Sequence, residues 1–152
     1  MKFLERDLED IIMNTPNEYL NERGLNISGH KRRQERIGNY GIADILTLER
    51  PVNQFNGATI KVFEMKKDII NADTLLQVGK YVSGINYYLH NIRGNYNYKV
   101  EMTLIGKRVD TTNDFVYLLD LIEGLELYTY EFKYDGIYFN HTGNYCLRNH
   151  GL

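Results

Sequence analysis

The sequence predicts an α/β fold with a mixed central sheet flanked by helices, ending in a further helix and a β-hairpin. Three observations predict it. Hydrophobic periodicity switches between helical and alternating patterns in the order α, β, β, β, α, β, α, β, β. The longest helical pattern, Ala72 to Leu89, lies between two apolar strands, and a helix in that place favours a right-handed crossover between parallel strands of one sheet. The strands before that crossover follow one another through a turn at Gly38 to Gly41 and a longer hairpin loop from Glu49 to Gly57. No internal repeat or low-complexity stretch interrupts the pattern, so residues 1–140 read as one domain and residues 141–152 as a polar tail.

The first element is a helix over Phe3 to Met13, with Leu4, Leu8, Ile11 and Ile12 as its apolar stripe and Glu5 and Glu9 sharing a face beside it. Asn14-Thr15-Pro16 stops it, and Pro16 opens a short second helix that runs to Gly24. Leu25 to Ile37 reads as extended, with His30, Lys31, Arg32, Arg33 and Arg36 in its middle; Gly38-Asn39-Tyr40-Gly41 is a turn. Gly41 to Leu48 is the second strand, with Asp44 set among Ile42, Ala43, Ile45 and Leu46. Glu49 to Gly57 is a hairpin loop, and Ile60 to Lys67 is the third strand, ending in Glu64-Met65-Lys66-Lys67. The crossover helix presents Leu75, Val78, Val82, Ile85 and Leu89 as its core stripe, with Gln77 and Tyr81 four apart on an adjoining face and Lys80 beside them. Tyr98 to Lys107 alternates as a strand. Thr111 to Asp114 offers caps for a helix through Phe115, Leu118, Leu119 and Ile122 that closes at Gly124. Leu125 to Tyr134 and Ile137 to Asn140 form a hairpin around Asp135-Gly136.

Composition bounds the function. The 152 residues are 43% hydrophobic and 25% charged, ordinary for a globular domain with a real core. The net charge of -2 does not advertise a polyanion partner, yet it is unevenly spread: residues 1–99 carry 14 basic and 12 acidic groups, residues 100–152 carry 4 and 8. A local basic face is compatible with that division. One cysteine, Cys146, excludes an intrachain disulfide, and no apolar run approaches membrane length, so the chain reads as cytoplasmic with no membrane partner. Cys146 lacks an evident activating neighbour, and His30, His90, His141 and His150 lack metal-ligand spacing.

The residues that carry chemistry sit at the end of the third strand. Val62, Glu64 and Lys66 share one strand face, and Asp44 interrupts the apolar strand before it. Burying charge is unfavourable unless it is paired, hydrogen-bonded or metal-bound. Taken singly, each residue has an ordinary structural reading. Glu64 and Lys66 make an ion pair, Gln77 and Tyr81 are helix surface and core, and Glu5 and Glu9 form a solvated helix face. The basic run Lys31-Arg32-Arg33 with Arg36 is a solvated surface, and Gly38-x-x-Gly41 is a turn. The combination points elsewhere.

Asp44, then Glu64-x-Lys66 on the adjoining strand, resembles the PD-(D/E)XK nuclease superfamily, and Gln77-x-x-x-Tyr81 is similar to the Q-x-x-x-Y helix of its RecB-like and λ-exonuclease-like branches. Glu5-Arg6-Asp7-Leu8-Glu9-Asp10, Asn14-Thr15-Pro16, Gly24-Leu25, Gly41-Ile42-Ala43-Asp44 and Phe63-Glu64-Met65-Lys66 also resemble the catalytic domain of NucS-type DNA endonucleases. The likeness covers residues 4–106, and more weakly the strand near Glu131. The separate N-terminal DNA-binding domain of NucS-type proteins has no counterpart in these residues.

The resemblance implies a restriction-endonuclease-like core of αβββαβ order and an Mg²⁺- or Mn²⁺-dependent endonuclease hydrolysing DNA. The rival is a catalytically idle module of the same fold that binds nucleic acid or protein. Asp44 and Glu64 would hold the metal with the Met65 backbone carbonyl, and Lys66 would orient the attacking water. Mg²⁺ suits this because it binds through one or two carboxylates and keeps several waters. Glu5 or Glu9 would join the site; spacing does not decide, and the likeness to the NucS-type glutamate favours Glu5. Gln77 would line the rim, and Tyr81 would brace it or meet DNA. Lys31, Arg32, Arg33, Arg36, Lys67 and Lys80 are the candidate phosphate contacts. A homodimer or an accessory DNA-binding subunit is a further implied source of DNA surface.

Overall fold

The computed structural model describes residues 2–50, 57–92, 97–112 and 114–142. The loop expected around Pro51, most of the loop after the crossover helix, Asn113 and the tail with Cys146 lie outside them.

The elements are α1 (Glu5–Asn14), α2 (Asn17–Glu22), β1 (His30–Arg36), β2 (Ile42–Glu49), β3 (Gly57–Met65), β4 (Ile69–Ile70), α3 (Ala72–Ile92), β5 (Asn97–Gly106), β6 (Arg108–Val109), a 3-10 helix (Asp114–Leu121), β7 (Leu125–Lys133) and β8 (Gly136–His141). Six strands form one sheet in the order β1-β2-β3-β5-β7-β8, and β4 pairs with β6 apart from it. The β1-β2, β2-β3 and β7-β8 pairs are antiparallel, whereas β3-β5 and β5-β7 are parallel. This is the mixed α/β sheet the sequence predicts, with α3 as the crossover from β3 to β5.

Each face of the sheet carries its own core. On one face Leu75, Val78, Tyr81 and Ile85 of α3 pack on Ile60, Val62, Met102 and Leu104. On the other, Leu8 and Ile12 of α1 join Leu20, Leu25, Ile27, Ile45, Phe63, Met65, Ile105 and Tyr128. β3 lies between the two, which is why it reads as an almost unbroken apolar run. Among the described residues, no helix is long and apolar enough to cross a membrane.

Two elements differ from the sequence expectation. The strand expected from Leu25 begins only at His30, because Gly29 adopts φ +89 and comes so near β2 that a Cβ there would lie 2.4 Å from the Leu48 carbonyl oxygen. Leu25 and Ile27 are buried before the strand starts. The helix expected from Phe115 to Ile122 is a 3-10 helix of 8 residues. Leu118 and Leu121 are exposed there, so little burial offsets the cost of starting a regular α-helical turn.

Candidate active site

The site forms where β2 and β3 stop pairing. Their register runs through Ile45 opposite Phe63. One step further sets Asp44 opposite Glu64, with both side chains on one face. The ladder ends there because Asp44 takes over a backbone bond itself: the Met65 amide donates to its Oδ2 at 2.9 Å. β3 meanwhile continues on β5, and the Lys66 amide donates to the Ile105 carbonyl at 2.8 Å. The end of β3 is thus held from both sides.

Lys66 turns back over the carboxylates. Its Nζ lies 3.8 Å from Glu64 Oε1 and donates to Gln77 Oε1 at 3.4 Å. Gln77 Nε2 donates to the Tyr81 hydroxyl oxygen at 2.8 Å. Tyr81 is buried, and its ring lies so close to the backbone of Gly41 that a Cβ there would sit 2.8 Å from Cε1. Tyr81 therefore braces Gln77 from inside the core and does not face solvent. Gly41, which as a sequence feature is only a turn residue, is what lets the tyrosine in.

Charge at the site is unbalanced. Glu64 is 2% exposed, and among the described residues no donor reaches its buried Oε2; its carboxyl neighbour is Asp44. Burial first, then the charge of Asp44, pushes the Glu64 carboxyl up to about 8 against the pull of Lys66. Burial, with Glu9 and then Glu5 nearby, pushes Asp44 up to about 6, although the Met65 N–H and Lys66 favour its ionised form. Two facing carboxylates, one buried oxygen without a donor and one ammonium make a site that lacks positive charge.

The two α1 glutamates occupy different places. Glu9 is buried, and its Oε1 accepts from Gln34 Nε2 at 2.7 Å and Arg33 Nε at 3.3 Å. Glu5 is exposed and lines a cleft of ≈ 370 Å³ with Lys66, Lys67, Asn71, Thr74 and Gln77. Asp44 and Glu64 do not line it; Lys66 and Gln77 connect it to the carboxylate pair. Among the described residues, no three His, Cys, Asp or Glu side chains converge as a ready-made metal cage.

The basic run divides. Lys31 Nζ donates to the carbonyls of Ile12 and Thr15 at 2.8 and 2.6 Å, closing the C-terminal end of α1. Arg33 holds Glu9 and Asp10 and donates to the Arg6 carbonyl. Both side chains serve the helix. Arg32 is exposed and pairs with Glu35 at 3.5 Å. Arg36 and Lys80 are exposed, and Lys67 lines the cleft. Gln34, which the sequence does not single out, is bonded to Glu9; nothing in its residue type or spacing signals this.

Two solved structures share the fold. A repair endonuclease from Pyrococcus abyssi matches with a TM-score of 0.54 and 21% identity over 84% of this chain and 46% of its own. An EndoMS–dsDNA2 complex matches with a TM-score of 0.55 and 22% identity over 85% of this chain and 46% of that chain. The chain therefore spans just under half the length of either. The restriction-endonuclease-like fold expected from the sequence is the fold observed. No protein-family model matches the sequence, and no curated protein matches it.

Proposed function

We propose that the protein is a divalent-metal-dependent DNA endonuclease that hydrolyses phosphodiester bonds with water. The observation that carries this reading is the buried, unpartnered Oε2 of Glu64 facing a second carboxylate, Asp44. A buried carboxylate left without a donor is costly, and a hard cation with oxygen ligands removes that cost. The fold shared with a repair endonuclease supports the same reading.

The residues fit Mg²⁺ or Mn²⁺: Asp44 and Glu64 would hold the ion, with the Met65 carbonyl adjoining and one α1 glutamate nearby. When bound, such an ion supplies Lewis-acid stabilisation of phosphoryl oxygens and lowers the pKa of water. The chain supplies the rest. The Met65 amide holds one oxygen of the Asp44 carboxylate, which leaves Oδ1 for the ion. Lys66 is held between Glu64 and Gln77, so its ammonium is aimed before substrate arrives. There it would donate to the attacking water or to a non-bridging phosphoryl oxygen as negative charge grows. Tyr81 keeps Gln77 from rotating. Lys67, Arg36 and Lys80 would meet DNA phosphates, whereas Lys31 and Arg33 are engaged by α1.

Cleavage of duplex, mismatched, branched and single-stranded DNA with Mg²⁺ or Mn²⁺ tests the reading. Wild-type protein is expected to cut at least one of these, and Glu64→Gln and Lys66→Ala proteins are expected not to. Undiminished cutting by both variants would overturn the assignment. Mn²⁺ binding without cleavage of any substrate would favour the idle nucleic-acid-binding module.

A further inference from the structure

We propose that Gln34 is a positioning residue whose left-handed backbone brings its own side chain and that of Arg33 onto one oxygen of Glu9, fixing this helix carboxylate beside Asp44. This rests on the metal-site reading above and names the α1 acid held in place near Asp44, Glu9; Glu5 lines the cleft with Lys66 and Gln77.

The argument starts from the backbone. Gln34 has φ +51 in the middle of β1, and no other described residue except glycine has positive φ. Glutamine has neither the freedom of glycine nor the short side chain that lets asparagine settle there, so the surroundings must hold it. The β1-β2 ladder pairs Arg33 with Ile45 and Glu35 with Ala43 but skips the step between them, where Gln34 stands opposite Asp44. The distortion is therefore placed directly beside the catalytic aspartate.

Its consequence is visible in the side chains. Successive residues of a regular strand point to opposite faces. Here Arg33 and Gln34 both reach Glu9 Oε1, at 3.3 and 2.7 Å. Arg33 also holds Asp10 and the Arg6 carbonyl, so α1 is already anchored to β1 without Gln34. The bond to Glu9 is the one Gln34 side-chain contact in this network. Both donors fall on Oε1, which restricts the rotation of the carboxylate and leaves Oε2 without a side-chain donor from β1. Strain at Gln34 thus orients a carboxylate where docking the helix alone needs only the arginine.

Mn²⁺ titration calorimetry on the full chain tests this with wild type, Gln34→Gly, Glu9→Gln and the double variant. Glycine removes the amide while easing the backbone, so the Gln34→Gly melting temperature is expected at or above wild type. Its Mn²⁺ affinity is expected to fall about 10-fold, as when a group orienting a metal ligand is lost. Glu9→Gln is expected to lose at least as much, and the double variant no more than Glu9→Gln alone. If Gln34→Gly fails to fold, Gln34→Asn keeps access to the left-handed region with a side chain too short to reach Glu9, and the same loss is expected. Wild-type affinity in the folded Gln34 variant, or losses that add in the double variant, would overturn the role of Gln34 while leaving the metal site standing. A wild-type protein that takes up no Mn²⁺ would overturn the metal reading and this inference together.

Discussion

Lys61 and Glu64 lie three residues apart on β3, both buried, and the fold treats them in opposite ways. Lys61 Nζ is 3.5 Å from Glu126 and 3.8 Å from Glu101, and it donates to the Asn26 carbonyl at 3.2 Å. Glu126 in turn accepts from the Tyr128 hydroxyl at 2.7 Å and from Asn26 Nδ2 at 3.2 Å. Burial works against the Glu126 anion, but Tyr128, Lys61 and Asn26 outweigh it and hold the carboxyl below its ordinary range. At Glu64 burial wins, an oxygen has no donor, and the carboxyl is raised. Both clusters bury charge, but Lys99 also pairs with Glu101 at 2.9 Å, so two cations meet two acids around Lys61, whereas among the described residues Lys66 alone faces Asp44 and Glu64. A balanced cluster is finished as structure, and the unbalanced one is where the proposed cation would bind.

Exchanging the charged groups in each cluster is the strongest way to break the comparison. Glu64→Gln is expected to cut the rate of DNA cleavage by about 10²–10³-fold, the loss typical of removing one preorganised group. Its thermal stability at pH 8 is expected to equal or exceed wild type, because an uncompensated buried anion is gone. Lys61→Met should do the reverse. Removing the cation takes the lysine from Glu126, while Glu101 keeps Lys99 at 2.9 Å, and the expected loss is on the order of 3 kcal/mol, read by urea unfolding, with Mn²⁺ affinity unchanged. Glu101 and Glu126 are partly exposed, so water keeps the loss at the low end of what a buried pair shows. A Glu64→Gln protein that both cuts DNA and unfolds easily would erase the distinction.

The two clusters also predict opposite responses to pH. The folded state raises Asp44 from 3.8 to about 6 and Glu64 from 4.5 to about 8, so it binds protons more tightly than the unfolded chain. Their contribution to stability is full below the unfolded values and is lost as pH rises through 6 to 8. Glu126 is shifted down, so its contribution is present above its unfolded value and lost on acidification. Metal-free protein is therefore expected to lose stability between pH 5 and pH 8. Glu64→Gln should flatten most of that slope, and Mn²⁺ at pH 8 should restore stability. Urea midpoints at pH 5, 6.5 and 8 measure it; a rising midpoint with pH in metal-free wild type would contradict the raised carboxyls.

What the sequence made legible follows from how far each signal reaches. Asp44 opposite Glu64, and Gln77 four residues before Tyr81, come from strand and helix periods, which are local properties. The choice between Glu5 and Glu9 was not legible, because both lie on one face of α1 and their difference depends on donors 24 and 25 residues away. Gln34 carried no signal at all, since its conformation is imposed by tertiary contacts that its residue type does not announce. The 3-10 helix departs from the sequence expectation for a related reason: its apolar spacing fits an α-helix, but Leu118 and Leu121 stay exposed.

The basic run gives the smallest expected effect and separates structure from recognition most cleanly. Lys31, Arg32, Arg33 and Arg36 look equivalent as a charge run, yet Lys31 is half-buried and its ammonium caps two carbonyls at the end of α1. Burial lowers its pKa despite the pull of Glu18, so it sits where solvation is poor. Lys31→Met keeps the stem packed and removes only the donors. The expected cost is about 1–2 kcal/mol, that of charged hydrogen bonds at a helix C-terminus. DNA affinity and its salt dependence should stay as in wild type, because a cation already engaged by helix carbonyls releases no counterion from DNA. Arg36→Ala should behave oppositely: stability within about 0.5 kcal/mol of wild type, as for an exposed surface residue, and a shallower dependence of DNA binding on salt. Fluorescence anisotropy across a salt series, paired with urea unfolding of the same variants, reads both effects; a changed salt slope for Lys31→Met would return it to the DNA-facing surface.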